Sequence, residues 1–290
     1  MSRLANLYIS AKAFLLQHIP SANATSILDG YLALPDKTKQ VVEVDELFRR
    51  LLESAQDSNM KAGVIGGAIG GVDRLGNVLF GFDPFEVKNK YFGDPEGLLS
   101  DIVGTLNPRG KVRTVSRGIW PRYCRTIISA AVFLAQFKSA EEFYDWANHL
   151  YKDKRSMAAL PLILAEEIEG IGYTLACDFL KELGFVNYGK PDVQVMDIFI
   201  GLGLCEKNSN PYNVQKIIAQ IAGEAGVSSY NVDKLFWLVG SGKFYRNPEL
   251  GKNGRIGSKK KQFLSQLLEQ NGHTSLNTNS DVNARPASIT

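Results

Sequence analysis

Cysteine and histidine are scarce in this chain, with three of each among 290 residues. Cys124, Cys177 and Cys205 leave one thiol over under any disulfide pairing, and they lie at none of the short spacings that metal sites use. A disulfide scaffold and a four-cysteine iron–sulfur cluster are therefore not expected. His18, His149 and His273 are equally scattered, so neither a metal nor another cofactor is expected. Long apolar runs are missing too. The longest, residues 127–137 (IISAAVFLAQF), already contains Ser and Gln and falls short of the ~18–20 residues of a membrane span. The first residues, MSRLANLYISAKAFLLQH, lack a sustained apolar segment ending in a small-residue cleavage site. These absences predict a soluble, cytoplasmic, reduced protein. A large excess of one charge is also lacking: 33 Lys and Arg stand against 30 Asp and Glu, a net charge of +3. Affinity for an anionic polymer must then come from local patches. Continuous strand patterns and repeats of 20–50 residues are absent as well.

What is present is a chain that is 44% hydrophobic, enough for one large domain or two small ones. Its apolar residues recur at helical spacing. Leu47, Phe48, Leu51 and Leu52 mark a helix in VDELFRRLLESA with Asp45 as its N-cap. GVIGGAIGG lacks both the G-K-[ST] ending and the G-x-G-x-x-G spacing of phosphate loops. Its Gly63, Gly67, Gly70 and Gly71 instead suggest a small helix face. Asp83-Pro84 and Asp94-Pro95 read as helix starts. Residues 102–140 contain no acidic side chain but carry Arg109, Lys111, Arg113, Arg117, Arg122, Arg125 and Lys138, interleaved with Trp120 and Tyr123. Such a patch suits either a nucleic-acid contact or a solvated loop. Residues 127–183 are strongly helical, and the composition after Leu264 turns polar, predicting a disordered tail.

The informative segment is residues 160–199. A helix from Leu160 to Ile168 meets the tight turn Glu169-Gly170-Ile171-Gly172. A second helix from Tyr173 to Leu183 follows, with Leu175, Ala176, Phe179, Leu180 and Leu183 facing inward and Gly184 just past its end. Backbone amides opening the second helix favour an anion such as a DNA phosphate. Twenty-two residues after Gly170 comes Asp192, in Lys190-Pro191-Asp192-Val193-Gln194-Val195, at the start of a further helix over 193–204. It is an N-cap by chemistry and a candidate catalytic carboxylate by position.

In these residues, over about 120–205, the chain resembles the helix-hairpin-helix DNA glycosylase superfamily. That pattern joins a glycine-hydrophobic-glycine hairpin to an aspartate with an apolar residue three positions on, here Val195. The resemblance implies an all-α fold of two helical lobes with a DNA-binding cleft between them. The expected division is an N-terminal lobe over 1–110, a hairpin lobe over 111–264 and a tail over 265–290. Members that also cleave the backbone carry a lysine two residues after the second hairpin glycine. Thr174 stands there, which implies a monofunctional hydrolase without lyase chemistry. Gln194 replaces a frequent histidine two residues after the aspartate.

The implied partner is double-stranded DNA holding a damaged or modified base, bound by a monomer, in base-excision repair or in defence against hypermodified phage DNA. N-glycosidic cleavage builds positive charge on the sugar, which a carboxylate such as Asp192 stabilises. The base must first be flipped into a pocket. Gly170, Gly172, Thr174, Lys190, Arg117, Arg122 and Arg125 are the candidate DNA contacts. Tyr188, Trp120, Trp237 and Tyr245 are candidate pocket residues that also suit core packing. Asp178 is a supporting polar group and Asp197 a solvated one. The stretch 230–245, YNVDKLFWLVGSGKFY, is distinctive but carries no assignable role. Two other readings remain: a non-catalytic helix-hairpin-helix DNA-binding module, in which Asp192 is only a cap, and a helical protein that binds no nucleic acid.

Overall fold

A computed structural model describes residues 2–35, 40–56 and 64–277, the last eight by their backbone only. The fold is all-α. Fourteen α-helices are present among the described residues, and β-structure is limited to isolated bridges at Lys243, Gly251 and Arg255. In order they are α1 (Arg3–His18), α2 (Ala24–Leu32), α3 (Val44–Ala55), α4 (Val64–Ile69), α5 (Pro84–Tyr91), α6 (Pro95–Leu106), α7 (Ile119–Leu134), α8 (Ala140–Tyr151), α9 (Leu160–Glu167), α10 (Tyr173–Glu182), α11 (Val193–Gly201), α12 (Pro211–Ala225), α13 (Ser229–Ser241) and α14 (Lys260–Asn277). None is long and apolar enough to cross a membrane among the described residues.

Local chemistry sets most boundaries. Asp83 accepts hydrogen bonds from the amides of Phe85 and Glu86, and Asp94 from that of Gly97, each ahead of a proline in the first turn. Gly184, with φ +98°, follows α10 as expected. Asp45 is not a cap: α3 starts one residue earlier, after Glu43, and Asp45 sits in its first turn. The glycine-rich stretch does not present one small helix face either. Gly63 lies outside the described residues, α4 ends at Ile69, and Gly70 and Gly71 adopt positive φ in the turn beyond it. The helix after Asp192 stops at Gly201, short of residue 204.

The buried core separates into two clusters, but not at residue 110. One is continuous in sequence, from Val41 on to Tyr188, and centres on α7 with α3, α5, α6 and α9 around it, α10 packing on α9 and α3. The other joins both ends of the chain: Tyr8 to Leu32 from α1 and α2 pack with residues 195–263 from α11 to α14. Helices α1 and α2 therefore belong with the C-terminal helices, because their apolar faces (Ala11, Phe14, Leu15, Leu28, Tyr31) are buried there. Long-range bonds close that lobe, such as Asn231 Nδ2 donating to the Leu32 carbonyl and the Arg246 amide donating to Tyr31 Oη. Residues 265–277, expected as tail, continue α14; residues 278–290 lie outside the described part.

Candidate active site

The hairpin between α9 and α10 is built against α7. Gly170 adopts φ +84°, and a Cβ on it would stand 2.5 Å from Thr126 Oγ1, so both conformation and space require glycine. The neighbouring Glu169 amide donates to Ser129 Oγ, and the Glu169 carboxylate accepts from Arg125 Nε. We expect Gly170→Ala to cost about 1–3 kcal/mol through positive φ and crowding. A lowered midpoint in urea unfolding measures it, with an unchanged slope confirming an intact native fold.

Gly172 caps α10 without a side-chain cap bond, so the amides opening that helix are the orphan donors of any helix start. Gly170 and Gly172 are both exposed. Thr174, the second residue of α10, donates from Oγ1 to the Pro191 carbonyl at 3.2 Å, which ties the start of α10 to the residue before Asp192. Asp192 then caps α11: its Oδ1 accepts from the amides of Gln194 at 2.9 Å and Val195 at 3.1 Å. Hairpin and aspartate are thus fastened together.

Around Asp192 lies a chain of charges. Lys190 Nζ pairs with Asp178 at 2.8 Å, Asp178 with Lys181 at 2.8 Å, and Lys181 with Asp233 at 2.8 Å. The side chains of Lys181 and Asp233 are 4% and 3% exposed, which makes theirs a buried ion pair. Burial opposes the charge on Asp178, but Lys181 and Lys190 hold its carboxyl well below the usual carboxylate range. Burial likewise opposes the two ammonium groups, yet the aspartates raise both above the ordinary lysine value. Asp192 behaves differently. Withdrawal from water pushes its carboxyl up to about 6, the charge of Asp233 adds to the rise, and the α11 amides and Lys190 only partly offset it.

Asp178, Lys181, Lys190 and Asp233 line a cleft of about 720 Å³ between the two core clusters. Arg49, Arg50, Glu53, Ser54 and Gln56 from α3 form one wall. Asp178, Lys181, Glu182 and Lys190 form the floor, and Asp233, Lys234, Trp237, Lys243 and Tyr245 the opposite wall. The unassigned stretch 230–245 is therefore one side of the cleft. Trp237 and Tyr245 stand edge to face there, ring centres 6.1 Å apart. Gly189 makes this convergence possible, since a Cβ on it would come within 3.0 Å of Asp233, Ile218 and the Ser229 carbonyl.

The sequence-based candidates divide accordingly. Trp237 and Tyr245 line the cleft. Trp120 and Tyr188 do not: both are buried in the first core cluster, Tyr188 donating its hydroxyl to the Met157 carbonyl. Lys190 lines the cleft but is paired with Asp178 rather than free for a phosphate. Arg125 is bound to Glu169 and the Ser116 carbonyl, Arg122 is half-buried, and Arg117 is exposed on the loop beside them. Asp197 pairs with Lys260 on α14. Among the described residues no three His, Cys, Asp or Glu side chains form a metal-ligand set. Sequence reasoning missed Lys181, Asp233 and the α3 wall. The only signal was the charge-aromatic pattern of residues 230–245.

No family model matches the chain. A stretch of 86 residues is 24% identical to an 8-oxoguanine DNA glycosylase/AP lyase of Korarchaeum cryptofilum, covering 28% of this chain. The chain spans about two fifths of the length of that curated relative, 41%. Among solved structures, the 8-oxoguanine glycosylase/lyase of Methanocaldococcus jannaschii in complex with a 15mer DNA containing 8-oxoguanine is similar with a TM-score of 0.47. Sequence identity is 14%, over 78% of this chain and 96% of that one.

Proposed function

We propose that the protein is a DNA N-glycosylase of the helix-hairpin-helix superfamily, which hydrolyses the N-glycosidic bond of a damaged or modified base in double-stranded DNA. The observation that carries this reading is the placement of Asp192: behind the glycine hairpin, at a helix start, beside the cleft residues Lys190 and Asp233. Sequence similarity to an 8-oxoguanine DNA glycosylase/AP lyase supports it. The cap bonds engage Oδ1, so Oδ2 is left to face the sugar. With its carboxyl at about 6, Asp192 is ionised at neutral pH and is a stronger base than an ordinary aspartate.

In this reaction the hairpin amides and the exposed Arg117 hold the backbone while the target base rotates into the cleft. As the bond from C1′ to the base nitrogen lengthens, the Asp192 carboxylate stabilises the positive charge on the sugar. Water adds to C1′, its proton passes to Asp192, and the base departs with the bonding electron pair. The role in the cell is base-excision repair or defence against modified phage DNA. Base release from duplexes carrying a panel of modified bases, read as alkali-labile sites, tests the assignment. Salt-dependent DNA binding with no release across the panel would instead indicate a pure binding module.

We also propose that the chain acts by hydrolysis alone. Thr174 occupies the hairpin position where a Schiff-base lysine would stand. The two nearby lysines are kept protonated by Asp178 and Asp233, whereas imine formation needs a neutral amine. Borohydride added during turnover is expected to trap no covalent protein–DNA adduct while alkali-labile sites accumulate. A trapped adduct would overturn this part of the reading.

A further inference from the structure

The size and lining of the cleft bear on what base it accepts. Its volume of about 720 Å³ lies in the upper part of the ~300–1,000 Å³ range of clefts that take drug-sized ligands. That leaves room for a base together with a substituent of its own.

The walls narrow the chemistry of whatever fills it. Almost every cation already faces an acid: Arg49 is paired with Glu46 and Glu53, Arg50 with Glu46, Lys181 with Asp178 and Asp233, Lys190 with Asp178, and Lys234 with Glu182 at 3.5 Å. An anionic group would compete with those carboxylates for its partners. A bulky apolar group would strip water from paired charges and give nothing back. Hydroxyl groups both donate and accept, so they can bond to lysine, arginine, carboxylate and the Ser54 and Gln56 side chains alike. The rings of Trp237 and Tyr245 add an apolar surface against which the carbon face of a saturated ring can lie.

We infer that the cleft receives a base carrying an uncharged, hydroxyl-rich substituent of about the size of a hexose, an inference that rests on the glycosylase reading. The base lies at the floor near Asp178 and Asp233, next to Asp192. Its substituent extends between the α3 wall and the Trp237–Tyr245 wall.

The test compares wild-type protein on four duplexes of one sequence. They contain glucosylated 5-hydroxymethylcytosine, 5-hydroxymethylcytosine, 8-oxoguanine or unmodified cytosine at one position. The expected result is a kcat/KM at least tenfold higher for the glucosylated base than for the other three, with Tyr245→Ala removing most of that preference. Equal or faster release of 8-oxoguanine or 5-hydroxymethylcytosine overturns the substrate class and leaves the glycosylase reading standing. An absence of release from all four duplexes overturns the substrate class too. It extends to the glycosylase reading only if the wider panel of modified bases is also silent.

Discussion

Asp192→Asn is expected to lower base release by about 10²–10⁴-fold while leaving duplex DNA affinity within a few-fold of wild type. The amide keeps an oxygen that can accept the α11 cap bonds, so the fold is retained, but it can neither offset positive charge on the sugar nor take a proton from water. Single-turnover release beside a binding isotherm measures both quantities. Equal loss of binding and release would remove Asp192 from the chemistry and leave it a structural cap. The pH profile supplies an independent reading. With a carboxyl at about 6, the single-turnover rate is expected to fall about tenfold per pH unit below 6 and to level off above 7. A flat profile between pH 5 and 7 would contradict the assignment.

The raised pKa has a thermodynamic counterpart of defined sign. A carboxyl whose folded value lies above its unfolded value binds protons more tightly when folded. Its contribution is most favourable below about pH 4 and is lost as pH rises through about 6. At neutral pH the ionised Asp192 therefore destabilises the protein by up to about 3 kcal/mol. Asp192→Asn is expected to melt higher than wild type at pH 7.5 and at the same temperature at pH 4.

The second large effect concerns Lys181. Its ammonium is buried between Asp178 and Asp233, so Lys181→Met leaves the Asp233 carboxylate out of water without its partner, while Asp178 keeps Lys190. The expected cost is ~3–5 kcal/mol, a fall in Tm of roughly 5–8 °C for a chain of this size. The double change Lys181→Met, Asp233→Asn is expected to recover most of the melting temperature, because Asp178 keeps Lys190 and no unpaired charge remains buried. Thermal unfolding of the two variants decides the matter. A Lys181→Met protein as stable as wild type would mean that the network contributes nothing to the fold.

The hairpin and Asp192 were legible in the sequence because their geometry is local. Two glycines, a helix cap and a spacing of 22 residues fix them without reference to the rest of the chain. The caps at Asp83 and Asp94 were legible for the same reason. The cleft was not, since it arises where α3, α10 and α13 converge from separations of more than fifty residues. Nothing in LKELG marks Lys181 as buried; only the arrival of Asp233 from α13 makes that placement tolerable. Aromatic residues failed as pocket markers in half the cases. Trp120 and Tyr188 have the same chemistry as Trp237 and Tyr245, and only packing decides which face a cavity. The lobe boundary was misplaced because amphipathic helices such as α1 and α2 state that they need a partner but not which one.

The pairing of both chain ends in one lobe also bears on how the molecule is made. Helices α1 and α2 leave the ribosome about 200 residues ahead of groups that bury them, including Asn231 and Arg246. At ~5–20 residues per second, the apolar faces of these two helices wait roughly 10–40 s for their partners. Meanwhile the sequence-continuous cluster between Val41 and Tyr188 has every residue it needs. Synthesis thus favours one order of assembly: the hairpin lobe condenses first, and the lobe that closes the cleft docks last, with the first helices exposed to chaperones until it does.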